Sequence, residues 1–482
     1  MNTSAHQNPR LQRTIGAGQF FTLSFASIVG VGWIVVLGDW LDQAGPLGAM
    51  VAFVLAGAMM MLIGLCYAEL GTMIPVSGGE IAYMYEIFGL RTSFVVGWFL
   101  ALIYISATSF QAISASWIVG IIFPALRGTA LYTVRGSPVM SGGVVLSLAG
   151  TLFLSLLNCR GAKSSTTFQD IFTYAKLGIS AVFIAAGIFW GKAENLRPLF
   201  AKSGFGPARS GILSVLITAP FWLAGFNVIS QVIEEKKSET PYRKIAEMLL
   251  LSIAVASLFY CLVILSCSMA IPWKNLVTAE FPVVNAFKVA FGSDVWAKII
   301  LLSGLLGLLA TWNSIFLGAS RAVFALGRAR IIHPSFAKIH PTFGSPATSI
   351  LFVGALSGAE VILGRGAIMP IVNMVSGCFV LIYLLVALGI IRMRYLEPHR
   401  RRPYRVPGGV TVPILAALAS LFMAFESFYI PYTNSSGHIP LEWLFFVGWG
   451  LFGSIFWCFA RGVRAQVHES DRRRLILGND EP

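Results

Sequence analysis

GAGQFFTLSFASIVGVGWIVVLGDWL, residues 16–41, is apolar almost throughout yet carries Gly30, Val31 and Gly32 at its centre. A second stretch, GILSVLITAPFWLAGFNVISQV at 211–232, is interrupted in the same way by Ala224 and Gly225. The two stretches open what read as equivalent halves of the chain. Unwound backbone is tolerated at membrane depth only where it is buried in protein or lines a cavity, so a matched pair of glycine-interrupted segments points to a binding site between the halves. The pattern implies transport across a membrane.

Composition agrees. Of 482 residues, 56% are hydrophobic and 12% charged, whereas a soluble domain carries about 25% charged residues. Twelve apolar runs are long enough to cross about 30 Å of hydrocarbon. Numbered in chain order as segments 1 to 12, they fall at 17–41, 47–70, 92–123, 140–158, 169–190, 211–234, 246–271, 295–320, 347–364, 368–391, 412–430 and 441–460. The expected fold class is an all-α polytopic membrane protein. The first 15 residues are too polar for a secretory signal. With the N-terminus inside, 24 of the 35 Lys and Arg lie on the cytoplasmic side, 10 lie outside, and Lys176 falls within segment 5. That bias predicts cytoplasmic termini and a place in the plasma (cell inner) membrane. It also explains the net charge of +14 by the lipid bilayer, with no nucleic-acid partner.

Catalytic and metal chemistry find no support. The six cysteines lie in or beside apolar segments without metal-ligand spacing, and no hydrolase or phosphate-loop motif occurs. No enzyme activity, metal or cofactor is expected.

The chemistry concentrates at the breaks. If the first helix stops near Ile28 and restarts after Gly32, the amides of Gly30, Val31 and Gly32 are free, and the restarted helix adds the positive end of its dipole: a carboxylate site. A side chain on Gly30 is then expected to crowd the backbone and abolish binding. Carbonyls near Ser27 and Ile28, with those near Phe221 and Ala224 beside Gly225, can accept from an ammonium. A zwitterion such as an α-amino acid matches both sets. Trp222, Phe226, Asn227 and Trp98 are candidates for shaping the side-chain pocket, ordinary packing being the competing reading. Close helix packing is likewise the competing reading of the glycines.

Several motifs resemble the amino acid/polyamine/organocation (APC) family over nearly the full length. They are YAELGTMIPVSGGEIAYMYEIFG at 67–89, Glu234-Glu235-Lys236 with Pro241, Asn313 to Arg321 with Arg328, and RPYRVPGG at 402–409. The resemblance implies a five-plus-five inverted-repeat core of LeuT-like type plus two further helices, with segments 1, 2, 6 and 7 rocking against 3, 4, 8 and 9. The chain then divides into a tail (1–15), a first repeat (16–191), a second repeat (192–392), segments 11 and 12 (393–461) and a C-terminal tail (462–482). The sequence departs from the family at Val31, where serine is common, at Trp33, and at Arg330, where glycine is common.

Lys176 sits among apolar neighbours in FQDIFTYAKLGISAVFIAAG. A charge at membrane depth costs about 2.5 kcal/mol or more on insertion scales, so it is expected to face the interior with carbonyl partners. The resemblance implies that it occupies the place of an ion in sodium-driven relatives and loads and releases a proton. A permanently charged structural bridge is the alternative. Acidic residues are absent from the middles of segments 1, 3, 6, 8 and 10, which disfavours polyamines and favours a neutral substrate. The resulting expectation is a permease for an amino acid or close amine analogue, coupled to protons. An obligatory exchanger is the alternative, and a polyamine transporter or a transporter-like receptor ranks below it.

Overall fold

Apolar runs that cannot hydrate their backbone fold as helices, because a helix satisfies its amides within the segment. The computed structural model describes residues 13–201, 211–279, 281–434 and 438–477; the tail residues 1–12 and 478–482 lie outside them. Among the described residues, eleven helices are long and apolar enough to cross a membrane. The segment expected as the ninth is shorter: a helix at Ala347–Glu360 followed by a 3-10 turn at Val361–Leu363. The chain is an all-α polytopic membrane protein.

Segment 1 is a helix at Ala17–Ile28, a break, and a short helix at Gly32–Val35. The next helix, Leu37–Met73, bends at Gly45, where φ is 71° and Pro46 follows; its first part continues segment 1 and its remainder is segment 2. Segment 6 runs from Ile212 to Leu223, breaks, and resumes at Val228–Val232. Segments five apart pack together: 2 along 7, 3 along 8, 4 along 9. The buried core runs through segments 1, 3, 6, 8 and 10, whereas segment 12 (Leu441–Phe459) buries only Gly453 among its residues. Its exposed face of Leu444, Val447, Leu451, Ile455 and Phe459 is the apolar surface that hydrocarbon solvates.

At one end of the bundle, the dispersed motifs converge as ion pairs. Glu235 binds Arg321 through two contacts of 2.7 and 3.2 Å, both side chains about 1% exposed. Glu234 accepts from Arg328 at 2.8 Å and from the Ser77 amide at 3.0 Å. Glu69 of YAEL accepts from Arg394 at 2.6 Å, Arg402 at 3.1 Å and the Val406 amide at 2.7 Å. Removing one partner from such a buried pair costs about 3–5 kcal/mol, so these residues hold the fold whatever else they do. Arg330 stands at φ 56°, a left-handed backbone that favours glycine, so this departure from the motif carries local strain. A two-stranded hairpin, Ala130–Val134 with Ser137–Met140, fills the connection between segments 3 and 4.

Candidate substrate-binding site

The two breaks face each other. The amides of Gly30, Val31 and Gly32 make no backbone hydrogen bond, because the helix restarting at Gly32 has not yet supplied carbonyls for them. Beside them, the Ile28 carbonyl accepts from Tyr260 Oη at 3.2 Å, the Ala26 carbonyl accepts from Thr311 Oγ1 at 2.5 Å, and Ser27 Oγ bonds Ser314 Oγ. Gly225, at φ 111°, permits the opposite break: a Cβ there would stand 2.7 Å from the carbonyl carbon and oxygen of Ser27. Gly32 is as confined, since a Cβ would stand 2.3 Å from the Trp222 ring. Gly30 has more room, with Thr311 at 3.3 Å and Gln111 Nε2 at 3.4 Å from the same construction. The tightest glycines are therefore Gly32 and Gly225, and the crowding expected at Gly30 is milder than the sequence alone suggests.

A cavity of about 30 Å³ lies between the breaks, lined by Ser27, Ile28, Gly30, Val31, Gly32, Phe221, Trp222, Ala224 and Gly225. By that measure it holds about two water molecules. A larger cavity of about 220 Å³ near Trp117, the hairpin and Arg365 shares no residue with the breaks. Tyr104, Ala107, Phe110, Gln111, Tyr260, Thr311, Ile315 and Phe379 complete the wall, and none of them is expected from sequence. Each sits in an uninterrupted helix and carries no local mark.

Three expected pocket residues lie elsewhere. Phe226 stacks on Tyr383, with centroids 5.6 Å apart. Trp98 packs on Trp449 at 4.9 Å, and each indole N–H donates to the other's carbonyl, at 3.0 and 2.9 Å. Asn227 donates to Glu80 and to Tyr104, both at 2.9 Å.

Lys176 is fully buried, its Nζ donating to the Val29 carbonyl within the first break and lying 5.1 Å from the Phe25 ring centroid. No carboxylate pairs with it among the described residues. Thr311 reaches the same carbonyl at 3.2 Å, so segments 1, 5 and 8 meet there. Asp170, at the start of segment 5, accepts from Thr22 at 2.5 Å and Gln19 at 3.2 Å.

Glu80 opens the short helix Glu80–Phe88 between segments 2 and 3, and accepts from Tyr67 at 3.0 Å, from Asn227 and from Gln231. Burial pushes its carboxyl from 4.5 up to about 7 against the pull of those hydrogen bonds. A carboxyl raised in the folded state contributes stability that is complete below its unfolded value and is lost as pH rises through the folded one. The thermal midpoint of the detergent-solubilised protein is therefore expected to fall as pH rises from 4.5 through about 7. Glu80→Gln should flatten that slope; an unchanged slope in this variant would contradict the assignment.

Broken helices facing each other across a small buried cavity, within a bundle of apolar helices, are the features of a membrane transporter. The chain belongs to the amino acid permease family, whose model matches residues 15–452. It is similar to the methylthioribose transporter of Bacillus subtilis, 27% identical over 453 residues that cover 92% of each chain. It is 28% identical to the branched-chain amino acid permease BcaP of the same organism over 429 residues, 86% of this chain and 87% of that one. It is 29% identical to the human b(0,+)-type amino acid transporter 1 over 420 residues, 86% of this chain and 82% of that one.

Proposed function

We propose that this protein carries an amino acid across the plasma membrane by alternating access, as a proton-coupled symporter with both termini in the cytoplasm. The observation that carries the reading is the pair of facing breaks. Free amides of Gly30 to Gly32 hold the substrate carboxylate, and carbonyls at Ser27, Phe221 and Ala224 hold its ammonium. The pairing of segments 2 with 7, 3 with 8 and 4 with 9 supports a five-plus-five inverted repeat, and the short segment 9 completes a set of twelve. Lys176, bonded to the Val29 carbonyl and without a carboxylate partner among the described residues, is the proton-coupling group. The same bond favours a second reading, obligatory exchange, in which a fixed ammonium bridges segments 1, 5 and 8.

The test is uptake by the purified protein in liposomes, screened against the common amino acids with and without a pH gradient. Amine analogues that lack the carboxylate should compete at least about tenfold more weakly than their parent amino acids, since a lost charge-assisted hydrogen bond is worth about 1.5–3 kcal/mol. Equal competition by such amines rules out carboxylate capture at the first break.

A further inference from the structure

Most polar groups at the cavity wall are already engaged within the protein. Ser27 bonds Ser314, Thr311 reaches the Ala26 and Val29 carbonyls, and Tyr260 donates to Ile28. Gln111, on segment 3, is the exception that faces the first break. Its side chain is 4% exposed and lines the cavity, its Nε2 is the atom it brings nearest Gly30, and its Oε1 has no hydrogen-bond partner. Trp222, a residue of the same wall, also has an unpartnered indole N–H. Around them stand Phe110, Phe221, Ile315 and Phe379, which offer apolar contact.

A buried acceptor without a donor is costly, and the cost persists when the bound ligand brings no donor. A ligand that does bring one removes it. A hydroxyl or carboxamide both donates and accepts, and so complements a free carboxamide oxygen together with a free indole N–H. An aliphatic side chain of the same shape leaves both unsatisfied. Sites built to hydrogen-bond a substrate group reject the analogue lacking it far more strongly than apolar pockets reject a misfit methylene.

We propose that Gln111 is the specificity-determining residue of this transporter and selects amino acids whose side chain carries a neutral hydrogen-bonding group, a hydroxyl or a carboxamide, over aliphatic ones of equal size. The inference rests on the reading of the cavity as the amino acid site. It adds which amino acids that site takes.

The experiment is competition uptake by the full-length protein in liposomes, using near-isosteric pairs: threonine against valine, asparagine against leucine, tyrosine against phenylalanine. In the pair whose size the protein accepts, the hydrogen-bonding member is expected to compete at least about tenfold better, as about 1.4 kcal/mol of unpaired acceptor requires. Gln111→Met should narrow that preference to about twofold or less. Gln111→Asn, which keeps the carboxamide but withdraws it, should fall between the two, and it reports on the contact if the methionine variant fails to fold. Equal competition within every pair by the unmodified protein overturns the proposal while leaving the amino acid site standing. A Gln111→Met variant that weakens both members alike also overturns it, because the carboxamide then serves the shared backbone of the substrate. Failure of every member of every pair to compete removes the amino acid site itself, and this inference with it.

Discussion

Gly225→Leu is expected to eliminate transport, leaving no more than about one hundredth of the normal initial rate in liposomes at equal protein content. Two physical effects combine there. The backbone at φ 111° disfavours any side chain, and the first added carbon would stand 2.7 Å from the Ser27 carbonyl. Strain of this backbone type costs about 1–3 kcal/mol and overpacking about the same again, and each 1.4 kcal/mol is worth about tenfold. The leucine relieves the overlap only by driving segments 1 and 6 apart, which dismantles the facing breaks. Circular dichroism of the purified variant separates loss of the site from loss of the fold, since both helices of segment 6 lie outside the break. Normal uptake by this variant would show that the gap in segment 6 is not where substrate binds.

Lys176→Ala should abolish acceleration of uptake by an inward proton gradient, with no compensating dependence on sodium. The ammonium sits at the meeting point of three segments, and alanine removes both its bond to Val29 and its placement over Phe25. The Val29 carbonyl keeps Thr311 as a donor, so the first break is expected to survive and substrate binding to persist. The exchange reading forecasts otherwise. The unmodified protein would then swap internal for external substrate without any gradient, at a rate indifferent to pH. Gradient-independent uptake by the unmodified protein therefore removes the symport assignment and favours the exchange reading.

The features that sequence exposes here are those for which a residue type is itself the cause. Glycine at 32 and 225 marks the two breaks because no other residue allows the approach that Trp222 and Ser27 make. Lys176 stands out because an ammonium among apolar neighbours demands a carbonyl partner, and Val29 supplies it. What sequence conceals is direction around a helix axis and contact between distant segments. Phe226 and Asn227 follow the second break immediately, yet their side chains turn to Tyr383 and Glu80. Trp98 lies on a cavity-forming segment but faces segment 12 through reciprocal indole bonds. Gln111, Tyr260 and Thr311 reach the cavity from unbroken helices, where nothing in the neighbouring residues distinguishes an inward face from any other buried face. The pairing of YAEL with RPYRVPGG through Glu69 is of the same kind: each motif is visible alone, and the bond between them is not.

The confined space between the breaks has a consequence for how binding is measured. On the proposed reading of this cavity, room for about two water molecules is too little for an amino acid in the described conformation. Should ligand bind a more open form, the measured dissociation constant is the intrinsic one divided by the fraction of molecules in that form. A receptive fraction of about 1% weakens apparent affinity about a hundredfold without altering a single contact. Substitutions remote from the cavity that destabilise the closed packing would then tighten equilibrium binding while adding no interaction, and would slow turnover by holding the carrier in one state.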